Sequence, residues 1–278
     1  MTASAASLAT INVASVLYGD GPDPDDPAEL FHEASKLYPS LARRQTPGLA
    51  LLERSEQLRA TAARAVRRNP ELPLVTLPEP RMPSMTLDEA LRSRRSHREF
   101  ADKPLELDEL SALLFAAYGV TDAITGEDIR EPQPLRTAAS AGALYPLEIH
   151  VHVRRVSGLP PALYHYDALQ HALRRQAGAR DLSVLTPTGD VLPIAALVVF
   201  ISSLFWRARF KYGLRGYRFA LFEAGHVAQN LSLAGTAFGL ATVVIGGFFD
   251  ALVDEVLGLD SVNESSLLAV AVGRPEER

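Results

Sequence analysis

The sequence predicts an α+β fold, a mostly antiparallel central sheet flanked by helices. Three observations carry this. Helix and strand patterns interleave along the 278 residues without the strict strand–helix alternation of a parallel sheet. Leu147–Val153 alternates with period two, and the two β-rich runs that follow, Ala162–Tyr166 and His171–Arg175, lie four residues apart and read as a hairpin. Pro193–Ser202 and Leu267–Val272 are continuous apolar runs, the pattern of strands covered on both faces.

The elements follow in order. The acidic, turn-rich run Gly21–Pro27 caps a helix predicted over Ala28–Tyr38. A second helix is predicted from Pro47 to Arg68. Five prolines in Asn69–Pro83 predict an extended linker, because proline lacks a backbone donor and disfavours helix at the residue before it. The chain therefore divides into an N-terminal helical extension with a proline-rich linker, 1–83, and a body, 84–278. In the body, Thr86–Glu89 is a capping box opening a helix that ends near Arg94, and Leu107–Leu110 opens another that reaches Tyr118. Gly119–Ala141 is polar, contains two prolines and is predicted as a loop. Tyr217–Phe238 is a long helix, apolar nearly all round, which predicts burial at the centre or at a subunit interface. Ala241–Ile245 is a further short buried strand.

Composition narrows the function. Hydrophobic residues make up 47% of the chain, enough for a sizeable core. A net charge of −5 with no long basic stripe argues against a nucleic-acid partner. The absence of cysteine excludes disulfides, thiolate catalysis and cysteine-ligated metal, so redox chemistry requires a bound cofactor. No Lys or Arg precedes Lys36, unlike a signal peptide, and the longest apolar run, Ile194–Trp206, is too short to span a bilayer. The expectation is a cytoplasmic protein with no membrane partner.

Several short constellations could carry chemistry. Arg92, Arg94, Arg95 and Arg98 fall within seven positions; they form either a solvated helix end or a pocket for phosphate or carboxylate. His150 and His152 share one strand face, as a sheet surface or as two ligands of a metal site with no evident third. Glu223, His226 and Asn230 share one stripe of the apolar helix, as an internal network or as a polar seam lining a cofactor. Arg207–Arg218 is dense in basic and aromatic residues. It reads as a mobile surface loop, or as the seat of an acid/base unit, since the Lys211 ammonium would lower the pKa of the adjacent Tyr212 phenol. Ala138–Pro146 is a run of small residues, suited to a tight loop or to close approach by a flat ligand, with Ser140 supplying a hydroxyl. No Gly-x-Gly-x-x-Gly follows a strand and no P-loop is present.

The order of these motifs is more specific than any one of them. Arg-Arg-Ser-x-Arg-x-Phe after a capped helix is followed by Ser-Ala-Gly-Ala-Leu-Tyr-Pro-Leu-Glu148, Lys211-Tyr212, Glu223-Ala-Gly-His-x-x-Gln-Asn230, Val244-Ile-Gly-Gly247 and Gly273-Arg274-Pro275. The chain resembles the nitroreductase-like flavoproteins over residues 86–275. Among them it looks most like the SagB-type dehydrogenases, which include azoline oxidases of thiazole- and oxazole-forming peptide pathways. The resemblance implies FMN and a homodimer. It assigns the FMN phosphate and flavin edge to Arg94, Arg95, Ser96, Arg98 and Arg274. It brings the Ser140–Ala141–Gly142 loop to the flavin from the partner subunit, puts Gly246 and Gly247 near the reactive face, and places Gln229 and Asn230 among the cofactor residues. It makes Lys211 and Tyr212 the catalytic pair. Ala139 stands where the family usually has Pro. The implied reaction is two-electron dehydrogenation of a peptide-borne azoline to an azole, with a cyclodehydratase complex and a precursor peptide as partners. The alternatives are an NAD(P)H-dependent nitro, quinone or enone reductase, and a non-catalytic scaffold subunit.

Overall fold

The computed structural model describes residues 23–276 apart from 24, 56–57, 59–68, 126–131, 188 and 190. Near the N-terminus, α1 spans Pro27–Ala34. It is shorter than the predicted helix, because Asp26 caps its start and the chain leaves helical geometry at Ser35. Helices α2 (Ala42–Gln45) and α3 (Pro47–Arg54) follow. The helix predicted to Arg68 breaks at Ser55, and most of its remainder lies outside the described residues.

The proline-rich linker is not wholly extended coil. Leu74–Thr76 forms β1, which pairs with β6 (Ala172–Gly178) at the edge of the main sheet. An edge strand tolerates the flanking prolines Pro73 and Pro78, since one side of its ladder is unpaired. The capping box at Thr86 and Glu89 forms as predicted and opens α4, Leu87–Ser93. Helix α5 runs from Leu107 to Tyr118. The predicted loop at 119–141 instead contains a hairpin, β2 (Val120–Ile124) with β3 (Gln133–Arg136). Its polar sequence and Pro134 hid the strand pattern.

The main sheet adds β4 (Leu147–Val153), β5 (Ala162–Asp167), β7 (Leu197–Leu204), β8 (Ala241–Ile245) and β9 (Glu264–Gly273). Its seven strands run in the order β1-β6-β5-β4-β7-β9-β8, and every neighbouring pair is antiparallel. Between β7 and β8 lie α6 (Trp206–Tyr212) and α7 (Arg215–Ala237). Helix α8 (Asp250–Leu257), which the sequence pattern did not mark, connects β8 to β9.

Strand β4 is buried along its whole length because both sheet faces are covered. Leu147, Ile149, Val151 and Val153 point to the layer of α5 and α7, where they join Leu113, Leu114, Val227 and Leu231. The opposite face is covered by Leu182, Leu185 and Leu192 of the long connection after β6 and by Val253 and Leu257 of α8. This second face also takes the polar half of β4, Glu148, His150 and His152, all buried. Each of these polar groups must find a partner there.

One polar tether fixes α8. Asp254 is fully buried, and its carboxylate accepts from the Ser266 N–H at 2.7 Å and from the Ser265 hydroxyl at 2.7 Å. Asp254→Ala should therefore destabilise the fold by about 1–3 kcal/mol, the cost of leaving a buried backbone donor unmet. Asp254→Asn, which retains an acceptor, should recover part of that loss in urea denaturation.

Candidate active site

The site is built around the loop that precedes β4. Gly142, Ala143 and Tyr145 all have positive φ, at 63°, 51° and 45°. For the two residues with side chains this conformation is unfavourable, so surrounding contacts must impose it. Five hydrogen bonds do so. Gln133 Nε2 donates to the Ala143 carbonyl at 2.8 Å, and the Arg136 N–H donates to the Tyr145 hydroxyl at 2.9 Å. The Tyr145 N–H donates to Ser140 Oγ at 2.9 Å. His226 Nδ1 donates to the Ala139 carbonyl at 3.1 Å, and Arg207 Nη1 donates to the Tyr145 carbonyl at 3.4 Å. The hairpin, α6 and α7 thus grip one loop from three sides.

Lys211 and Tyr212 end α6, a helix where the sequence pattern allowed a mobile loop. That correction matters for geometry. In an extended loop adjacent side chains diverge, whereas here both reach the same glycine. A Cβ built on Gly142 would stand 2.5 Å from Tyr212 Oη and 2.6 Å from Lys211 Nζ. Glycine suits both its positive φ, which L side chains rarely adopt, and the space, since a Cβ there would displace both groups. The Lys211 ammonium lies 5.0 Å from the Tyr212 ring centroid. An amine and a phenol brought to one place can hold and move a proton on a bound molecule.

Two buried carboxylates flank this cluster and are tuned in opposite directions. Glu148 meets Arg207 Nη1 at 2.6 Å and His165 Nε2 at 2.6 Å. Burial alone would raise its carboxyl. The Arg207 charge and the His165 hydrogen bond outweigh burial and hold it well below the usual carboxylate range. Glu223, on α7, is 1% exposed. Its Oε1 accepts from the Tyr118 hydroxyl at 2.5 Å, while no partner meets hydrogen-bond geometry at Oε2. Burial pushes the Glu223 carboxyl up to about 7, against the opposing pull of the Ser140 and Tyr118 hydroxyls and of Arg136 and Arg207. The Arg136 guanidinium sits between two rings, 4.2 Å from the Tyr118 centroid and 4.9 Å from that of Tyr145. Glu223 and His226 are thus both an internal network and a support for the loop.

The remaining expected residues lie along β8, at the free edge of the sheet. Ser96 bridges Thr242 in parallel, and the His97 N–H donates to the Thr242 carbonyl at 2.9 Å, which seats the arginine segment beside the start of β8. Arg95 and Arg98 are exposed and Arg94 is half-buried. Arg95 Nη1 donates to the Arg92 and Arg94 carbonyls at 2.9 and 2.8 Å, and Arg94 Nη1 lies 3.5 Å from Ser96 Oγ. Gly246 and Gly247 follow β8, both exposed, and a Cβ on Gly247 would meet nothing within 4 Å. Arg274 is engaged differently from the expectation. Its Nη atoms donate to both oxygens of Glu109 at 2.8 and 2.7 Å, and its Nε donates to the Pro104 carbonyl at 3.2 Å. An anion would have to share that guanidinium with Glu109. On α7, Gln229 is exposed, and Asn230 lines a groove of about 390 Å³ with Met82, Met85, Leu87 and Thr137. Within one chain the β8 residues are separated from the Lys211–Tyr212–Gly142 cluster, which sits over the joined ends of β4 and β7. Three strand spacings of roughly 4.8 Å put β8 about 14 Å from β4.

The paired histidines are structural. His150 bonds Gln176 at 2.9 Å and Ser202 at 3.2 Å, and His152 Nε2 accepts from the Arg180 N–H at 3.0 Å. Among the described residues, no group of three or more potential ligands could hold a metal ion, and no helix is long and apolar enough to cross a membrane.

Comparison with known proteins gives the same architecture a family. The Nitroreductase family model matches residues 91–274, more than half of the chain. The chain belongs to the nitroreductase family. Its relatives include a Methanocaldococcus jannaschii protein named as a nitroreductase, MJ1384, 39% identical over 201 residues that cover 71% of this chain and 96% of that one. They also include two peptide-processing proteins. The microcin B17-processing protein McbC of Escherichia coli is 33% identical, over 63% of this chain and 64% of its own. The trifolitoxin-processing protein TfxB of Rhizobium leguminosarum is 30% identical, over 62% and 48%. A crystal structure from Ralstonia eutropha, named as a nitroreductase, superposes with a TM-score of 0.61 at 29% identity, covering 74% of this chain and 90% of that one. The E. coli microcin synthetase McbBCD complex with truncated pro-MccB17 bound shares the fold, with a TM-score of 0.55 at 23% identity over 88% of this chain and all of the matched one. The nitroreductase family is one of flavoprotein oxidoreductases, so the chain is an oxidoreductase of that class.

Sequence reasoning missed Tyr118, Arg136 and Arg207 as parts of the site. For the last, the alternation of Leu147–Val153 left Glu148 on a polar face, whereas the structure buries it, and a buried carboxylate demands a cation.

Two measurements follow from the paired carboxylates. Glu223 ionises at about 4.5 when unfolded and at about 7 when folded, so native stability should fall as pH rises between those values. The loss is about 3 kcal/mol. Glu223→Gln should abolish that slope, and denaturation of both proteins at pH 5 and pH 8 measures it. Glu148 behaves oppositely. Its contribution is present above 4.5 and lost on acidification, because its folded pKa is lowered. Arg207→Gln strands that carboxylate and should cost about 3 kcal/mol at neutral pH.

Proposed function

We propose that the protein is an FMN-dependent dehydrogenase that oxidises an azoline ring carried by a peptide to an azole, working as a homodimer. The observation that carries this reading is the meeting of Lys211, Tyr212 and Gly142. A paired amine and phenol held together at one loop is suited to taking the Cα proton of the ring, while two electrons and the second hydrogen leave to a bound acceptor. FMN supplies that acceptor when bound.

The chain's own residues fit the cofactor. Arg94 and Arg98, with Ser96, offer charge-assisted donors to a phosphate at one end of β8. Gly246 and Gly247 leave open backbone at the other end, where a flat ring could lie close. Arg274 holds the segment to β9, since its carbonyl accepts from the Ala101 N–H at 2.9 Å. The placement of the β8 residues at the sheet edge, with Lys211 on the helix that follows the inner strand β7, supports a site shared by two copies, one giving the arginines and glycines and the other giving Ser140, Ala141, Gly142, Lys211 and Tyr212. An apolar stripe on α7 supports the same pairing: Leu221 and Phe222 are 42% and 55% exposed, and Gly225 beside them is open.

Similarity to McbC and TfxB, both named as processing proteins of peptide products, supports a peptide substrate. The McbBCD complex with truncated pro-MccB17 supports partners of the cyclodehydratase and precursor-peptide kind. A second reading has its own support: the match to MJ1384 favours a reductase that draws on NAD(P)H. Rapid bleaching of the flavin by NADPH would select that reading.

Purified protein should be yellow and twice the 30.1 kDa chain mass in light scattering. Arg98→Ala should weaken FMN about ten- to a hundredfold, the loss of one charge-assisted contact. Tyr212→Phe and Lys211→Ala should keep FMN and lower azole formation by about 10²–10⁴-fold. Wild-type turnover in both variants at full FMN occupancy would sink the azoline-oxidase reading.

A further inference from the structure

The N-terminal extension precedes the span matched by the family, yet it lies directly on the candidate catalytic turn. Gly48, at the start of α3, packs so closely that an added Cβ would come within 2.6 Å of Lys211 Cα. Gly213, which ends α6 with φ 56°, packs equally closely on the Gln45 carbonyl, 2.6 Å from its own added Cβ. Further along, Arg218 donates to Ser35 Oγ at 2.7 Å and to the His32 carbonyl at 2.5 Å. Phe31 stands edge-on to Tyr217, with ring centroids 5.4 Å apart. These contacts span α1 to α3 and hold the extension against the α6–α7 turn.

The two parts line a cleft of about 230 Å³ that opens to solvent. Its wall runs from Ala34 to Leu37 and through Arg44 and Gln45 on one side, and from Tyr212 to Arg215 on the other. Three of these residues are cations, Lys36, Arg44 and Arg215, and none is an acid, in a chain whose net charge is −5. Lys36 already pairs with Glu33 at 2.5 Å. The two guanidiniums remain for a ligand. The Arg215 Nε is shielded from solvent and has no hydrogen-bond partner. Such a donor is unfavourable until an acceptor reaches it. Ser35 and Gln45 cannot serve as that acceptor's rivals, because both are already committed, Ser35 to Phe31 and to Arg218 of α7, and Gln45 to Lys36 and Tyr38 within the extension.

We infer that this cleft is a carboxylate subsite of the substrate site, in which Arg44 of the extension and Arg215 of α7 bind an acidic group of a peptide whose reacting ring lies at Lys211 and Tyr212. The inference rests on the reading that those two residues act on a peptide. The extension then contributes half of a specificity pocket. A guanidinium pair selects a carboxylate by paired, charge-assisted hydrogen bonds, so a neutral amide of the same shape should be discriminated against. The carboxylate could be an Asp or Glu side chain, or the C-terminus of a short peptide.

The test uses the flavin-loaded full chain and three tripeptides with blocked N-termini: acetyl-Gly-Glu-Gly-amide, acetyl-Gly-Gln-Gly-amide and acetyl-Gly-Gln-Gly with a free C-terminus. Binding is followed by calorimetry and by emission of Trp206, the single tryptophan, which is exposed on α6. The neutral peptide should bind at least about tenfold more weakly than one of the two acidic ones, and which acidic peptide binds identifies the source of the carboxylate. Arg215→Gln and Arg44→Gln should each remove about tenfold of that preference. Arg44 is exposed, so its variant still reports if Arg215→Gln folds poorly. Equal binding of all three peptides, or an unchanged preference in the Arg44→Gln protein, overturns the subsite. Charge-selective binding in a protein that forms no azole keeps the subsite and removes the azoline reaction instead.

Discussion

Arg207 reaches from the first turn of α6 to Glu148, a carboxylate buried on the polar face of β4, and closes an ion pair at 2.6 Å. Much of the candidate site hangs from this contact. A buried pair is a poor source of net stability, because removing two charges from water costs about what their attraction returns. Its value is geometric. The pair joins the strand that leaves the Ser140 loop to the helix that ends in Lys211 and Tyr212. Arg207 and Lys211 are four residues apart, on the same helical face. Fixing the first directs the second towards Gly142. The same guanidinium also donates to the Tyr145 carbonyl, so helix, strand and loop share one anchor.

The loop itself is held against its own preference. Ala143 and Tyr145 adopt positive φ, at a cost of about 1–3 kcal/mol each. That cost is met by contacts from Gln133, Arg136, Arg207 and His226, which come from three separate elements. Glu223 stands behind this arrangement with its carboxyl raised by burial, and Tyr118 and Arg136 keep it in a polar enclave of an otherwise apolar layer. Two carboxylates in one small region, one held ionised by a cation and one inclined to stay neutral, keep the local charge defined without placing a competing acid beside Lys211.

Much of this was legible in the sequence, for physical reasons that differ by element. The capping box at Thr86 and Glu89, the alternation of β4 and the apolar run of β8 are local patterns, and local patterns survive folding. The association of Lys211 and Tyr212 with the Gly142 loop could be drawn from family resemblance, but not from spacing, because the residues are about seventy positions apart. The features that escaped are those settled by tertiary contact. β1 exists because β6 offers an edge to a proline-flanked tripeptide. The β2–β3 hairpin has too few apolar residues to announce itself, and Pro134 argues against it. Helix α6 is short and basic, and its Arg207 is satisfied only once Glu148 and the loop carbonyl are in place. Arg274 looked like a free cation at a strand end until α5 brought Glu109 to it.

The layout of the sheet bears on the proposed pairing of two copies and on the N-terminal extension. The strand order sets the arginines and glycines of β8 at one edge and the Lys211–Tyr212 turn near the middle, over β4 and β7. The exposed stripe of α7 beside Leu221 and Phe222 is the surface on which a second copy would bring the two halves together. The turn has another side, around Gly213 and Arg215. Helices α1 to α3 cover that side through backbone contacts too close for any side chain at Gly48. Excluding water there raises the worth of each charge near the proton-moving pair, since a guanidinium or ammonium acts more strongly in a less polar surrounding. An element outside the family's shared span can therefore alter selectivity and the strength of the local field, while the sheet, the loop and the Glu148–Arg207 anchor stay the same.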